Sequence, residues 1–288
     1  MKNKYRLSSS VYDRETDQEK VKPCKIYFIA VEGNATEKEY FRGVSKYRTK
    51  IGINVIVDVE VLDRASKDTN SAPSAVLDLL EEYVQLRENG EMLFDIPLSI
   101  LEKYGIDFIK GYLAGQDTMS KKQKNIFIND LRSIGYDIQY RRYLAKYDNE
   151  LDEFCVFIDR DKQCHSKEEI LAIMQHCQDN KYRFFMANPC FEFWLLLHLV
   201  DVKSQYADRM NMIEENVKIS VAHSFVSKEV SMLGRHGKKN IHFLKNYLPN
   251  IKLAVERAKQ FVSLEEDLID SVGCNLWKLM EEMMEYKK

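Results

Sequence analysis

Four short apolar runs, each followed by a loop or a helical pattern, dominate the first 200 residues of the chain. They are rich in β-branched and aromatic side chains, which is typical of strands buried on both faces. The runs are 25–31 (KIYFIAV), 53–62 (INVIVDVEVL), 153–158 (EFCVFI) and 181–187 (KYRFFMA). Helical spacing follows the first run from Thr36 and the second from Pro73 to a stop at Gly90. This alternation predicts an α/β fold with a mostly parallel central sheet flanked by helices.

The most apolar stretch of the chain, residues 188–199 (NPCFEFWLLLHL), also contains a carboxylate and an imidazole. Asn188 is suited to cap a helix and Pro189 to its first turn, so we expect a helix directly after the fourth strand. Burying its Trp, Phe and Leu side chains would contribute roughly 1.5–3 kcal/mol each. Glu192 then lies in the first turn, near the positive end of the helix dipole, and the buried helix holds it in a fixed position.

The pattern divides the chain into three parts. Residues 1–24 are polar and charged with little periodicity, and we expect a flexible N-terminal arm. Residues 25–200 form the α/β core, interrupted at about 91–150 by a segment too long for a plain connection, which we interpret as a helical insertion. Residues 201–288 carry several charged helical patterns and predict a helical C-terminal region.

Composition narrows the class of protein. The 288 residues carry 43 basic and 45 acidic side chains, a net charge of −2, which argues against a protein that coats DNA through bulk charge. The six cysteines show no metal-finger spacing, and Cys155 and Cys190 lie in apolar runs as small core residues. No apolar run reaches the roughly 18 residues of a membrane span. We expect a soluble, cytoplasmic protein that does not associate with membranes.

Acidic side chains follow three of the predicted strands. Glu32 comes after the first strand, Asp159 and Asp161 (DRD) after the third, and Glu192 after the fourth. Because the carboxyl ends of parallel strands share one edge of a sheet, these side chains are expected to converge. Carboxylates at such short distances repel each other unless a cation neutralises them. Hard oxygen ligands of this kind select Mg²⁺ or Mn²⁺. An acidic cluster that binds such a cation is typical of enzymes that catalyse phosphoryl transfer or phosphodiester hydrolysis.

Each acidic residue also has a purely structural interpretation. Glu32 precedes a glycine and could belong to a simple turn, and DRD could be a polar turn. The role of Glu37 could be limited to a favourable interaction with the dipole of its helix, since Thr36 and Glu39 already resemble a capping box. Glu192 could be a first-turn dipole partner, but if it is buried it needs a cation, a donor or water, because an unpaired buried carboxylate costs several kcal/mol.

Histidine and basic side chains provide further candidates. His198 lies on the apolar helix and is interpreted as a core histidine, and His165 follows DRD in a loop. A basic loop spans residues 234–240 (GRHGKKN) and is either simply solvated or contacts phosphate. The candidate phosphate contacts are Arg160, which could equally face a structural partner, and Arg235, His236, Lys238 and Lys239.

Three motifs in this order, VEGNATEKEYF, CVFIDRD and NPCFEFWLLLHL, closely resemble the RloB/AbiLii-like family, and GKKN and NLWKLMEEM resemble its tail. The resemblance covers most of residues 25–62, 153–200 and about 235–285. It implies a Toprim-like fold, metal-dependent nuclease chemistry and a role in antiphage defence of the abortive-infection type, often with an ABC-type ATPase partner. The residues that match its motifs are Glu32 (the Toprim glutamate), Asp159 and Asp161 (the metal-binding DxD), Glu37 (TE) and Glu192 (NPxFE).

These observations leave more than one function open. The leading hypothesis is a Mg²⁺-dependent or Mn²⁺-dependent nuclease that hydrolyses RNA, tRNA included, or DNA. The alternative is a non-catalytic metal-binding interaction subunit of an ABC-type ATPase complex. A nucleotidyl-transfer or primase-like activity is a third hypothesis, disfavoured by the lack of a Gly-rich nucleotide loop. The chain has no Walker motif, so the ATPase would be another chain, and a homo-oligomer is possible.

Overall fold

The computed structural model describes residues 25–33, 35–54, 56–62, 73–88, 96–113, 120–133, 151–221, 223–237 and 240–286. The expected N-terminal arm at 1–24 lies outside these residues, as do Lys238 and Lys239 of the basic loop.

The described residues form one five-stranded sheet in the order β2-β1-β3-β4-β5. The strands are β1 (Lys25–Val31), β2 (Val57–Val61), β3 (Glu153–Asp159), β4 (Arg183–Asn188) and β5 (Gly273–Cys274). The first four are parallel to their neighbours, and β5 runs antiparallel to β4. The predicted α/β class with a mostly parallel sheet is confirmed, and the arrangement is consistent with a Toprim-like fold.

Helices cover both faces of the sheet because successive strand side chains point to opposite sides. In β1, Tyr27, Ile29 and Val31 belong to one apolar cluster, whereas Ile26 and Phe28 belong to another. The helices of the first 200 residues outside the insertion are α1 (Thr36–Lys46), α2 (Arg48–Ile51), α3 (Pro73–Glu88), α7 (Lys167–Asp179) and α8 (Phe191–Leu199). The first cluster contains buried side chains of α1 and α8, and the second contains those of α3 and α7.

The predicted insertion is helical where the structure describes it. Its helices are α4 (Leu98–Tyr104), α5 (Ile106–Leu113) and α6 (Lys121–Ser133). They bury a small apolar cluster of their own, made of Ile96, Ile100, Ile109, Tyr112, Phe127 and Leu131.

The region after residue 201 is helical, as predicted, and packs against α8. Its helices are α9 (Val202–Gln205), α10 (Met210–Glu215), α11 (Phe225–Gly234), α12 (Phe243–Asn246), α13 (Ile251–Ala258), α14 (Glu265–Leu268) and α15 (Leu276–Glu285), with 3-10 turns at Ala207–Arg209 and Leu248–Asn250. Arg257 of α13 donates to the carbonyl of Leu197 at 2.7 Å. One of the last carbonyls of α8 is thereby satisfied from the C-terminal region.

Two details near β4 differ from the sequence prediction. Asn188 does not cap α8 but ends β4, where its side-chain amide donates to the carbonyl of Leu268 at 2.7 Å. The Asn188–Pro189 peptide is cis, and α8 begins at Phe191 with Cys190 as its N-cap.

Two strands also differ from the sequence prediction. The second strand begins at residue 57 rather than 53. The short antiparallel β5 was not predicted.

The amino edge of the sheet carries a network of opposite charges. Lys25 and Arg183 both contact Glu153, at 2.5 Å and 2.7 Å. Arg183 also contacts Glu282 of α15 at 2.6 Å, and the Tyr27 hydroxyl donates to Glu282 at 2.7 Å. The last helix is therefore tied to the starts of β1, β3 and β4.

Candidate functional site

The acidic side chains that follow β1, β3 and β4 come together at the carboxyl edge of the sheet. The backbone N–H of Asp159 donates to Glu32 Oε2 at 3.3 Å. The Asp159 Oδ1 atom accepts the backbone N–H of Phe191 at 2.8 Å, which joins the end of β3 to the first turn of α8. Glu192 lies in that same turn, as predicted. Parallel strand order thus places residues some 160 positions apart side by side.

Glu37 joins this group because Gly33 lacks a side chain. A Cβ atom at Gly33 would lie 2.0 Å from Glu37 Oε2, so only glycine lets the carboxylate approach the loop after β1. The Gly33 backbone N–H is hydrogen-bonded to Glu37. The predicted capping box is wrong, since α1 has Ala35 as its N-cap without a side-chain cap, and Glu39 instead accepts the backbone N–H of Ile241 at 3.1 Å. Glu37 is 8% exposed.

Burial and like charge dominate the electrostatics of the site. Burial, together with the charge of Glu192, raises the pKa of Glu37 to about 7. Burial and the charges of Glu32, Glu37 and Glu192 raise the pKa of Asp159 well above its usual range, and the Phe191 N–H opposes this only in part. Four carboxylates therefore lie within electrostatic reach of one another, an arrangement that favours a bound cation or a proton.

The expected metal triad is not assembled in this structure. Among the residues it describes, no three His, Cys, Asp or Glu side chains are arranged to hold a metal ion. Asp161 in particular accepts the backbone N–H of Gln163 at 3.2 Å, and its own N–H donates to the Pro189 carbonyl at 3.0 Å. The donor set of carboxylate oxygens fits Mg²⁺ or Mn²⁺ chemically, but a cation would have to draw the side chains together.

A cleft of about 370 Å³ opens beside the carboxylates. One wall includes Asp159, Asp161, Cys190 and Glu192, and a second wall includes Glu214, Glu215, Lys218, His223, Ser224 and Ser227. The second wall belongs to the C-terminal region, and sequence reasoning had assigned none of its residues to the site. The sequence offered no signal for it, because this wall is brought to the sheet edge only by the packing of α11 on α8.

His165 lies beside Glu32 and was underrated by the sequence analysis. Its Nε2 atom is 3.6 Å from Glu32 Oε1, and its Nδ1 atom is 3.7 Å from Glu169 Oε2. Arg160, between the two aspartates, is 5% exposed. It donates to the carbonyls of Ile269 and His165, each at 2.8 Å. Arg160 therefore holds the DRD loop in place, which is the structural alternative, and it is not positioned to contact phosphate.

The two described phosphate candidates of the basic loop, Arg235 and His236, differ. Arg235 is exposed in the left-handed conformation after α11, with φ of 51°. His236 Nε2 contacts the Tyr247 hydroxyl at 2.5 Å and is therefore held by the protein itself. Burial and the nearby charges of Glu192 and Glu39 raise the pKa of Tyr247, so this anchor lies close to the acidic edge.

His198 is a core histidine, as interpreted from the sequence. Its Nδ1 atom contacts the Trp194 carbonyl at 2.9 Å, and its Nε2 atom contacts the Tyr40 hydroxyl at 3.1 Å. Burial lowers its pKa to about 3, which keeps the ring neutral. The Tyr40–His198 contact fixes α1 against α8, the two helices that carry Glu37 and Glu192.

Comparison with known proteins gives one match. A family model described as RloB-like protein matches residues 27–283. Searches of curated proteins and of solved structures give no significant match. No helix within the described residues is long and apolar enough to cross a membrane.

Proposed function

The chain belongs to the RloB-like family, and from that premise we propose that it is a metal-dependent nuclease. It hydrolyses phosphodiesters of RNA, tRNA included, or of DNA, as an effector in antiphage defence. The observation that carries the proposal is the convergence of Glu32, Glu37, Asp159 and Glu192 at the carboxyl edge of the sheet. Ligands of open parallel sheets bind at this edge, and acidic clusters there suit divalent-metal chemistry.

The metal is Mg²⁺ or Mn²⁺ in this proposal, and Glu32, Asp159 and Glu192 are the side chains that hold it. When bound, it supplies charge stabilisation at the phosphate and activates water. Asp161 lines the same cleft as Asp159 and Glu192. The backbone N–H of Phe191 keeps one Asp159 oxygen in a fixed direction.

Glu37 is the candidate proton carrier. Its pKa of about 7 lies close to neutral pH, where a carboxylate can both accept and release a proton. The close approach at Gly33 fixes its position, so substrate binding does not need to order it. His165 supports the neighbouring Glu32 from the other side.

An interaction subunit remains the second candidate function, and one observation favours it. The helical insertion has its own core and leaves Leu98, Ile106 and Ile126 between 45% and 76% exposed. In this proposal the insertion docks on an ABC-type ATPase or on a second copy of the chain, and the acidic edge binds metal without cleavage.

The test compares cleavage of end-labelled tRNA, single-stranded RNA and duplex DNA in Mg²⁺, Mn²⁺ or EDTA. We expect cleavage that depends on the metal and that Asp159→Ala and Glu32→Ala abolish. Glu285→Gln, which removes an exposed carboxylate at the end of α15, is the matched control and should cleave like wild type. Unchanged cleavage in both site variants would refute the proposed site. No cleavage, with or without an added ABC-type ATPase, would favour the interaction subunit.

A further inference from the structure

Two described segments, 217–221 and 223–225, form the arms of a short hairpin that contributes to the second wall of the cleft. Lys218 and Ser224 pair as an antiparallel bridge. The backbone N–H of Ile219 donates to the His223 carbonyl at 3.0 Å. The two arms are thus held together although they are too short to be strands of the main sheet.

The base of this hairpin is anchored at the start of α8. Asn216 adopts the left-handed conformation, with φ of 42°, and its Oδ1 atom accepts the backbone N–H of Val226 at 2.9 Å. Its side-chain nitrogen lies 3.5 Å from Cys190 Sγ, the N-cap residue of α8. Phe225 and Val226 are buried, so the hairpin is fixed relative to the turn that carries Glu192.

Two side chains of the hairpin face the cleft with polar groups not used by the protein. Lys218 is exposed and makes no ion pair within the described part of the chain, whereas Lys162 on the same cleft donates to the Asp270 carbonyl at 2.8 Å. The His223 Nδ1 atom contacts Ser227 Oγ at 2.9 Å. This contact orients the ring and leaves His223 Nε2 without a hydrogen bond among the described residues.

The charge of the cleft explains why such groups are needed. Asp159, Asp161 and Glu192 on one wall repel a phosphodiester, and a metal ion compensates only at the reacting phosphate. Phosphates on either side of it need hydrogen-bond donors from the second wall, and lysine and histidine are suitable. Phosphate contacts of this kind set the position of a strand without reading its sequence.

We propose that Lys218 and His223 bind the phosphates that flank the scissile one, so that the hairpin holds a nucleic-acid strand across the acidic edge. The inference rests on the proposed nuclease function and adds the strand-binding residues to it. Lys218 and His223 are substrate-binding residues here, and the carboxylates remain the reacting groups.

The test measures the affinity of fluorescein-labelled single-stranded RNA, and of DNA with the same sequence, by anisotropy over a range of salt concentrations. Asp159→Asn is the background, so that the probe is not cut. We expect Lys218→Ala to weaken binding about fivefold and to lower the slope of log K against log salt by about 0.7, the value for one lost phosphate contact on a single strand. Lys218→Arg should restore both quantities.

Lys228→Ala is the matched control, since Lys228 is an exposed lysine on α11 outside the cleft. In the cleavage-competent protein, Lys218→Ala should raise KM with kcat within about twofold of wild type, because only binding is lost. His223→Ala should act in the same direction as Lys218→Ala.

Two results would overturn the inference, and they are distinguishable. If Lys218→Ala matches Lys228→Ala in affinity and salt slope while Glu32→Ala and Asp159→Ala still abolish cleavage, the hairpin does not bind substrate and the nuclease proposal stands. If neither probe binds the background protein, the nuclease proposal fails and the inference fails with it.

Discussion

The two edges of the central sheet handle charge in opposite ways. At the amino edge, Lys25 and Arg183 meet Glu153 and Glu282 in pairs between 2.5 and 2.7 Å. At the carboxyl edge, Glu32 accepts the backbone N–H of Asp159 and Asp159 accepts that of Phe191, while burial and neighbouring carboxylates raise the pKa of both Asp159 and Glu37. The amino edge stabilises the fold, whereas the carboxyl edge stores electrostatic repulsion. Repulsion of this kind is typical of functional sites.

The largest expected effect at either edge is on activity. Asp159→Asn keeps the oxygen that accepts the Phe191 N–H but removes the charge. We expect cleavage to fall on the order of a thousandfold, about 4 kcal/mol of transition-state stabilisation. The free energy of unfolding should be at least that of wild type, because one of four repelling charges is gone. Parallel cleavage assays and urea denaturation check both, and a large loss of stability would contradict the contrast between the edges.

The next effect is on stability as a function of pH. Burial raises the pKa of Glu37 from 4.5 to about 7, so the folded protein holds this proton more tightly than the unfolded chain. Stability therefore falls as pH rises from about 4.5 to about 7, and the full cost of about 3 kcal/mol is present above that range. Glu37→Gln should be more stable than wild type at pH 8 by an amount of this order and should lose that part of the pH dependence.

Urea denaturation at several pH values measures the effect. The control is Glu168→Gln, an exposed glutamate in the first turn of α7, which should change stability by less than about 1 kcal/mol at every pH. If the free energy of unfolding depends on pH in the same way in wild type and Glu37→Gln, the folded state does not raise the pKa of Glu37.

A smaller effect is expected at the amino edge, with the opposite sign. Arg183→Met removes one of two basic partners of Glu153 and Glu282 and leaves these partly exposed carboxylates with Lys25, which lies 2.5 Å from Glu153 and 3.8 Å from Glu282. We expect a loss of about 2 kcal/mol in the free energy of unfolding, since hydrogen bonds to charged groups contribute about 1.5–3 kcal/mol. Cleavage at temperatures well below the melting midpoint should not change. A loss of cleavage there would show that the two edges are not independent.

The smallest effect is the response to metal. A cation that neutralises the carboxyl edge stabilises the folded state by RT ln(1 + [L]/Kd), about 1.4 kcal/mol at tenfold excess over Kd. We expect Mg²⁺ to raise Tm by about 3 °C in wild type and in Arg183→Met, but not in Asp159→Asn. Thermal melts with Mg²⁺ and with an equal ionic strength of NaCl separate binding from screening. Equal shifts in all three proteins would contradict a site at Asp159.

The sequence was sufficient for the strands of the parallel sheet and for three of the clustered acids. Apolar runs at 25–31 and 153–158 are strands because both faces are buried, and their carboxyl ends carry Glu32 and Asp159. The sequence was insufficient where an element forms only through contacts with residues far away along the chain. The two residues of β5 have no periodicity of their own and pair only because β4 offers a free edge.

The same limit applies to the details of the site. Gly33 indicated a turn, but its role in admitting Glu37 depends on how α1 is oriented, and the contact of Tyr40 with the distant His198 fixes that orientation. Asn188 is a residue type that commonly caps helices, but its side-chain amide donates to the Leu268 carbonyl and the residue ends β4 instead. In each case a tertiary partner decided between two local interpretations.

The contact between Tyr27 and Glu282 joins residues 255 positions apart. β5 is one of the two outer strands of the sheet and α15 supplies Glu282, one of the two carboxylates of the amino-edge network; both are synthesised long after β1. Contacts of such high sequence separation form late and slow the folding of a chain. During translation, residues 273–274 must therefore leave the ribosome before this sheet has its five strands, long after all four carboxylates of the carboxyl edge have been synthesised.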